Sequence, residues 1–406
     1  MPAIATETTV FGMNGSGNWA DPELRPQNYR ELAFKLFPDS PSPFTKILSK
    51  LPSSTTDDPY YHIFEWRLPK MAFIIDGAQD GTETTIELVD TGTEPADPAQ
   101  GLKEGDLLKD ETSGEILLIT TAPSSPWTSI VVQRHWGGTN GTSGMADLSV
   151  LRWVGSAYEE GVGAPGAVSK RASVVLNYTQ IFKDTADITG TAEQMRTRPM
   201  KPWPQLKGEA LERHMIKMEY AILHGVQHAE AGVDHEIRTT GGFREQISAA
   251  QGIVDMSSVT IDMLENEMQT SFTYGSDTKI GLVGYTALNY INKLVRTNTQ
   301  FQFNHPLPKE QTYGLNVTEL RSPFGSLMLI PHPLMAESAL YTTEVYIIDP
   351  KYVEYVSMRG RDTKWKDNAQ ANDVDGRKGF YQTEAGMRLA LPEVHAVWTD
   401  LASLGT

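Results

Sequence analysis

The alternation of apolar and polar positions divides the chain into blocks, and the clearest change of period falls between residues 176 and 232. From 176 to 191 the run LNYTQIFKDTADITGT sets Tyr178, Ile181, Phe182 and Ile188 among Thr179, Thr185 and Thr189. β-Branched and aromatic residues suit a pleated surface, so this run predicts a strand pair or one long bent strand. The period then changes: Leu211, Met215, Met218 and Ile222 recur at i, i+4, i+7 and i+11, the apolar stripe of an amphipathic helix. Glu209 and Arg213 are set for an i,i+4 ion pair on another face. Pro199, Pro202 and Pro204 end whatever precedes the helix. At ~1.5 Å per residue a helix over 205–231 is roughly 40 Å long, a strut rather than a packing helix of ordinary length.

Upstream, Leu32 and Leu36, then Phe44, Ile47, Leu48 and Leu51, predict two short amphipathic helices broken by PDSPSP. Tyr61, Ile63, Phe64, Trp66 and Leu68 follow as a strand closed by Pro69. Residues 77–157 change character. Short runs TIELV, DLLK, EILLIT, SIVVQR and SVLRWV are separated by Gly, Pro, Asp and Ser clusters, the rhythm of a small antiparallel β domain. It reads as an insertion into a loop whose stems are the strands at Phe64 and Tyr178. Beyond the strut, Ile261, Leu264, Met268 and Phe272 predict a helix, KIGLV a buried strand, and Leu288, Ile291 and Val295 a second helix. Strands at YGLNVTEL, GSLMLI and EVYIID make this part a mixed α+β domain. The chain ends in β structure, with YVEYVSM and MRLALPEVHAVW on either side of the polar loop WKDNAQANDVDGRKG. No internal repeat is visible.

Composition narrows the classes. A chain of 406 residues with 39% hydrophobic residues has room for two or three domains. No apolar run approaches the ~18 residues that span a bilayer, and the N-terminus lacks the basic start and apolar stretch of a signal peptide, so synthesis and folding in a cytoplasm are expected. With no cysteine, disulfides, thiolate nucleophiles, iron–sulfur clusters and sulfur-ligated zinc are excluded. A net charge of −16 argues against a large surface that grips nucleic acid. Residues 77–157 hold twelve acidic and four basic residues, half of that net charge. Residues 1–20, rich in Gly, Thr and Asn, would be disordered alone; they read as an arm that a neighbouring subunit holds down. Their GMNGSG has neither the preceding strand nor the following helix of a phosphate loop.

Chemistry finds little foothold. His224 and His228 at i,i+4 would share a helix face as zinc ligands do, with Glu230 and His235 close behind. Gly225, however, stands where the general-base Glu should be, and the spacing to His235 is one residue too long. Asp367, Asp373 and Asp375 beside Gly376 resemble a calcium loop, but Gln382 occupies the position of the bidentate Glu. Glu159 and Glu160 lack a facing acid and read as a surface turn. No Ser, His and Asp set sits in a nucleophile-elbow context. No catalytic residue, metal or cofactor is expected.

NYTQIFKDTADITGT at 177–191, with the helix ending KMEYAILHG, resembles the tailed-phage major capsid proteins of Hong Kong 97 type fold. SPFTKILSK at 42–50, FEWRLPK with Glu65 and Trp66, and RTTGG at 238–242 match that family in order, over about three quarters of the chain. The resemblance implies an α+β chain with a long spine helix, a mixed axial domain and an inserted small all-β domain. Residues 1–51 would be the arm and short helices, 52–76 and 158–190 the stems of the extended loop, and 77–157 the insertion. The peripheral domain would comprise 191–240 and 348–406, and the axial domain 241–347. Two features depart from the pattern. Pro202, Trp203 and Pro204 interrupt a region helical in relatives, so a later start of the spine is expected, and the loop 365–379 is unusually polar.

The implied function is a non-enzymatic shell protein that self-assembles as hexamers and pentamers around double-stranded DNA it does not bind specifically. Its implied partners are a scaffolding protein, a portal and a decoration protein, with no membrane. The implied location is the virion, after assembly in the host cytoplasm. Trp66, Arg67 and Tyr178, at the root of the long loop, are the expected intersubunit contacts. The rivals are an encapsulin-like nanocompartment shell, which would lack the acidic insertion, and a metal-dependent hydrolase built on the His cluster.

Overall fold

The computed structural model describes residues 52–66, 71–89, 101–125, 127–139, 144–169, 172–195, 202–247, 252–297, 303–304 and 318–401, with Phe44, Ile47 and Ala99. The chain divides into two compact units, Met1–Ile63 with Val175–Thr406, and Phe64–Val174.

In the first unit the long helix runs Pro202–His224. It starts at Pro202 rather than later, because proline is tolerated in a first helical turn, where its missing N–H has no intrahelical partner. It stops well short of residue 231. A Cβ at Gly225 would lie 2.3 Å from the Ala221 carbonyl and 2.6 Å from that of Thr240, so only glycine lets the two backbones pass there. The buried face also differs from the predicted stripe. Ala210, His214, Met218, Glu219, Ile222 and Leu223 are buried, whereas Leu211 is 36% exposed and Met215 half-buried. Arg213 donates to the Thr185 carbonyl and Glu209 accepts from Gln205, in place of the expected ion pair between them.

This helix packs on a five-stranded sheet ordered Ser53–Thr56, Val353–Met358, Gly376–Leu389, Gln180–Thr189, with Lys364–Lys366 also on Gly376–Leu389. The predicted run from 176 forms two successive strands of different sheets, Ser173–Tyr178 and Gln180–Thr189, separated by buried Thr179. Ten consecutive residue pairs join Gln180–Thr189 to Gly376–Leu389, from Gln180 opposite Ala385 to Thr189 opposite Gly376. His214 ties helix to sheet, its ring nitrogens 3.1 Å from Asp184 Oδ2 and 2.7 Å from Thr383 Oγ1. Of the expected N-terminal helices, Phe44 and Ile47 are helical and buried in the main core; Leu32, Leu36, Leu48 and Leu51 lie outside the described residues.

The second sheet of this unit is mixed and seven-stranded, in the order Ile253–Asp255, Ala396–Thr399, Val345–Ile348, Thr278–Val283, Gly325–Pro331, Thr318–Ser322, Phe303–Asn304. Helices Ile261–Phe272 and Tyr285–Thr297 come from the predicted runs, the first capped by Thr260, whose hydroxyl accepts from Met263 N. Not every strand of 348–406, the stretch expected in the peripheral domain, lies in the first sheet. Ala396–Thr399 pairs with Ile253–Asp255 and Val345–Ile348, and its four residues are buried throughout, as a central strand requires.

The second unit is a six-stranded antiparallel sheet, ordered Ala72–Ile74, Val150–Ser156, Asp106–Asp110, Ile116–Thr121, Ser129–Gln133, Thr85–Glu87. Its two outer strands meet: Ile75 bridges Leu88, and Val89 N donates to Ile74 O at 2.8 Å. The sheet therefore closes into a barrel around Ile75, Ile86, Leu108, Leu117, Ile119 and Ile130, which removes free edges. The barrel needs Ala72–Ile74 as a strand, so its first strand lies before residue 77, while its last ends at Ser156; the compact unit as a whole spans Phe64–Val174. Its buried acids are satisfied locally. Arg134 forks onto Glu115 at 2.7 and 2.8 Å, and Asp110 accepts from Ser113, Ser149 and two backbone amides.

Candidate functional site

Tyr60–Glu65 and Ser173–Tyr178 pair as a two-stranded ribbon. Thr179 N donates to Pro59 O at 2.9 Å, and Ser173 Oγ donates to Glu65 O at 3.3 Å at the other end. The strands are therefore antiparallel, with Tyr60 opposite Tyr178 and Phe64 opposite Val174. The first pair confirms the register by ring contact, an edge-to-face arrangement with centroids 4.9 Å apart.

Because side chains alternate between faces, the ribbon has an anchored face and an open one. Tyr61, Ile63, Glu65 and Asn177 are buried. Tyr61 donates its hydroxyl to Met387 O at 2.8 Å. Asn177 Nδ2 donates to Gly241 O and Met387 O, while its Oδ1 accepts from Gly241 N. The open face carries Phe64, 72% exposed, and Val174, 53% exposed, with Trp66, 67% exposed, just beyond the strand. The chain from Tyr158 to Ser169, which precedes the returning stem, is exposed at every residue.

Of the expected contact residues, Trp66 projects into water. Tyr178 is half-buried against Tyr60, and Arg67 lies outside the described residues. Phe64 and Val174 join Trp66 through strand alternation. For Phe64 that signal was present in YHIFEW; for Val174 it needed the register.

The other candidates do not converge. His224 is the last residue of the helix, its ring stacked on Tyr341 with centroids 3.9 Å apart. Burial, with Arg244 and His332 nearby, pulls its pKa down to about 4. His228 and Glu230 sit on a separate strand, His228–Ala231, and His235 falls in the following turn, so the helical i,i+4 geometry does not arise. Asp367 is held by Arg377, whose Nη2 lies 2.6 Å from Asp367 Oδ2; that hydrogen bond holds the Asp367 carboxyl below its usual range. Glu159 and Glu160 are exposed in the segment 158–169. Among the described residues no three His, Asp or Glu side chains are grouped to hold a metal ion. GMNGSG lies outside the described residues.

The family model of the SU10 major capsid protein matches residues 5–402. The major capsid protein of Pseudomonas phage PaMx41 is 22% identical over 409 residues, covering 93% of each chain. Among solved structures, the capsid of a native GTA particle aligns over 97% of this chain and 100% of its own, at 8% identity and TM-score 0.48. A chain from Mycobacterium phage Adephagia aligns over 96% and 97%, at 11% identity and TM-score 0.42. With a family match that spans nearly the whole sequence, the chain belongs to the SU10 major capsid protein family and serves as a phage major capsid protein.

Proposed function

We propose that the open face of the stem ribbon, with Phe64, Val174 and Trp66, is a contact through which one shell subunit holds the next. As a phage major capsid protein the chain associates with copies of itself into the shell and resides in the virion. The carrying observation is a ribbon fixed on one face by Tyr61 and Asn177 whose other face leaves two large apolar side chains and an adjacent tryptophan in water. A lone subunit gains nothing from that exposure, whereas burial in a neighbour recovers about 25 cal/mol per Å² of apolar surface.

In this reading the chain has the Hong Kong 97 type arrangement. Pro202–His224 is the spine helix, the five-stranded sheet belongs to the peripheral domain, the seven-stranded sheet is the axial domain, and the barrel is a domain inserted in the extended loop. Subunits group as hexamers and pentamers, assemble in the host cytoplasm with a scaffolding protein and portal, accept a decoration protein, and catalyse no reaction. The acidic chain faces packaged DNA without gripping it.

Replacing Phe64 with Ser and Trp66 with Ala together should leave the thermal midpoint of the dissociated subunit within a degree or two, since both side chains are exposed. Shell yield, read by electron microscopy and sedimentation, should fall by an order of magnitude or more. Wild-type yields from this variant would remove the ribbon from the assembly contact.

A further inference from the structure

We infer that the face of the five-stranded sheet turned away from the long helix carries a lysine patch that contacts the phosphates of the packaged duplex without reading its sequence. The inference rests on the reading above, in which the shell encloses double-stranded DNA, and names where the two touch.

Strand alternation sorts the side chains. On the helix side, Tyr381 packs with Ala186 and Ala210, and His214 reaches Asp184 and Thr383. Trp365 joins that side against Trp203 and Tyr381. Lys183, Lys364, Lys366, Lys378 and Phe380 therefore share the opposite face. The register sets Lys183 and Lys364 on either side of Gln382, Lys366 and Thr185 on either side of Phe380, and Lys378 opposite Asp187. With strands ~4.8 Å apart and ~3.3 Å per residue, the four lysines spring from an area of roughly 10 by 13 Å.

Their charges are largely unspent. Lys183, Lys364 and Lys366 are exposed. Among the described residues no carboxylate pairs with these three; Lys364 donates to Gly360 O at 3.0 Å, and Lys366 lies 5.6 Å from the centre of the Phe380 ring. Lys378 is 3.6 Å from Asp187, a solvated pair that a phosphate can replace. Glu384, on the same face, lies 2.5 Å from Arg361 and 3.8 Å from Arg238 of the hairpin that pairs His228–Ala231 with Glu236–Thr239, so it leaves no free negative charge there. In a chain of net charge −16 this is a local reversal of sign.

The composition of the patch selects its partner. Protein contacts form around apolar cores from which lysine is depleted. Here the apolar groups are Phe380, half-buried among the lysines, and Ile181 near the start of the edge strand. Lysine is a flexible point charge that meets phosphate from any direction. A duplex presents one phosphate per ~1.7 Å of its axis, so about eight pass over 13 Å and four lysines find partners in any register. Such a contact is weak and sequence-independent, and the acidic remainder of the chain keeps the DNA from sticking beyond it.

Combining Lys183→Gln, Lys364→Gln and Lys366→Gln should weaken binding of the dissociated subunit to a fluorescent random duplex of about 30 base pairs at least tenfold at about 50 mM salt, read by anisotropy. The slope of log Kd against log salt should flatten by about 2.7, since three phosphate contacts are lost. A chain with Lys103→Gln, Lys109→Gln and Lys351→Gln, equal in charge but away from the patch, should bind nearly as wild type does. The patch variant should also form shells in wild-type yield. No duplex binding by wild type, an equal loss in the control chain, or tighter capture of polyglutamate than of the duplex would overturn the DNA contact. So would a patch variant that folds but fails to assemble, because its lysines would then join subunits. Wild-type protein that forms no shells would instead remove the reading on which the inference rests.

Discussion

Replacing Glu219 with leucine is expected to destabilise the folded subunit by about 3 kcal/mol and to release the segment around Phe44. Glu219 is wholly buried on the long helix. Its Oε1 accepts the Phe44 amide at 2.8 Å from 175 residues away and His332 Nε2 at 2.8 Å from 113 residues away. Leucine keeps the volume but strands two donors in a core that includes Phe44, Ile47, Ile222 and Leu223. Each stranded donor costs roughly 1–3 kcal/mol, more than the added apolar contact returns. Glu219→Gln retains an acceptor oxygen and should cost about a third as much. Urea unfolding gives the size, and trypsin cleavage at Lys46 or Lys50 in the folded variant reports release. An unchanged urea midpoint and an uncut segment in the leucine variant would show that Glu219 does not tie these elements together.

The element types were largely legible because they follow local period. Ile261, Leu264, Met268 and Phe272 gave a helix, and the short apolar runs of the acidic block gave strands. What was hidden depends on partners far along the chain. The helix buries His214 and Glu219 because Asp184, Thr383, Phe44 and His332 come to meet them; without those partners a histidine and a glutamate read as solvent positions, and Leu211 as core. The helix end was overrun for a similar reason. Val226 to Ala231 is rich in residues a helix accepts, and the stop at Gly225 is enforced by the Thr240 backbone. The hairpin after it was missed with it, although Gly232 at its turn was a usable signal. Ala396–Thr399 was read correctly as a strand, but its place in the seven-stranded sheet was not legible, since an apolar run such as AVWT says that both faces are covered and not by what. At the ribbon, Trp66 was visible from alternation, whereas the covering of Tyr178 by Tyr60 required the register of two strands more than a hundred residues apart.

Lowering the pH from 7 to 5 is expected to remove roughly 4 kcal/mol of subunit stability through two buried histidines, His224 and His395. Burial holds His395 down to about 3, with the Lys279 ammonium acting in the same direction and Asp349 against it. Geometry supports the neutral form: Asp349 N donates to His395 Nδ1 at 3.2 Å, and a backbone N–H cannot turn into an acceptor when that nitrogen takes a proton. His224, near 4, is pressed against Tyr341, with the Tyr346 hydroxyl 3.4 Å from Nδ1. Both groups remain neutral in the fold while the unfolded chain binds protons below its ordinary pKa of about 6.5. Their contribution is thus complete above that value and drains away as the pH falls toward 4. His214, whose pKa burial also lowers, adds in the same sense despite the opposing pull of Asp184. Asp106 and Glu267, raised by burial, act the opposite way, in the carboxylate range. Urea midpoints of the dissociated subunit at pH 7, 6 and 5 measure the slope, and His224→Phe, which preserves the stack on Tyr341, should roughly halve the loss. A midpoint that stays level across this range, or a His224→Phe slope equal to wild type, would mean that these rings are protonated in the fold and that its acid sensitivity lies elsewhere.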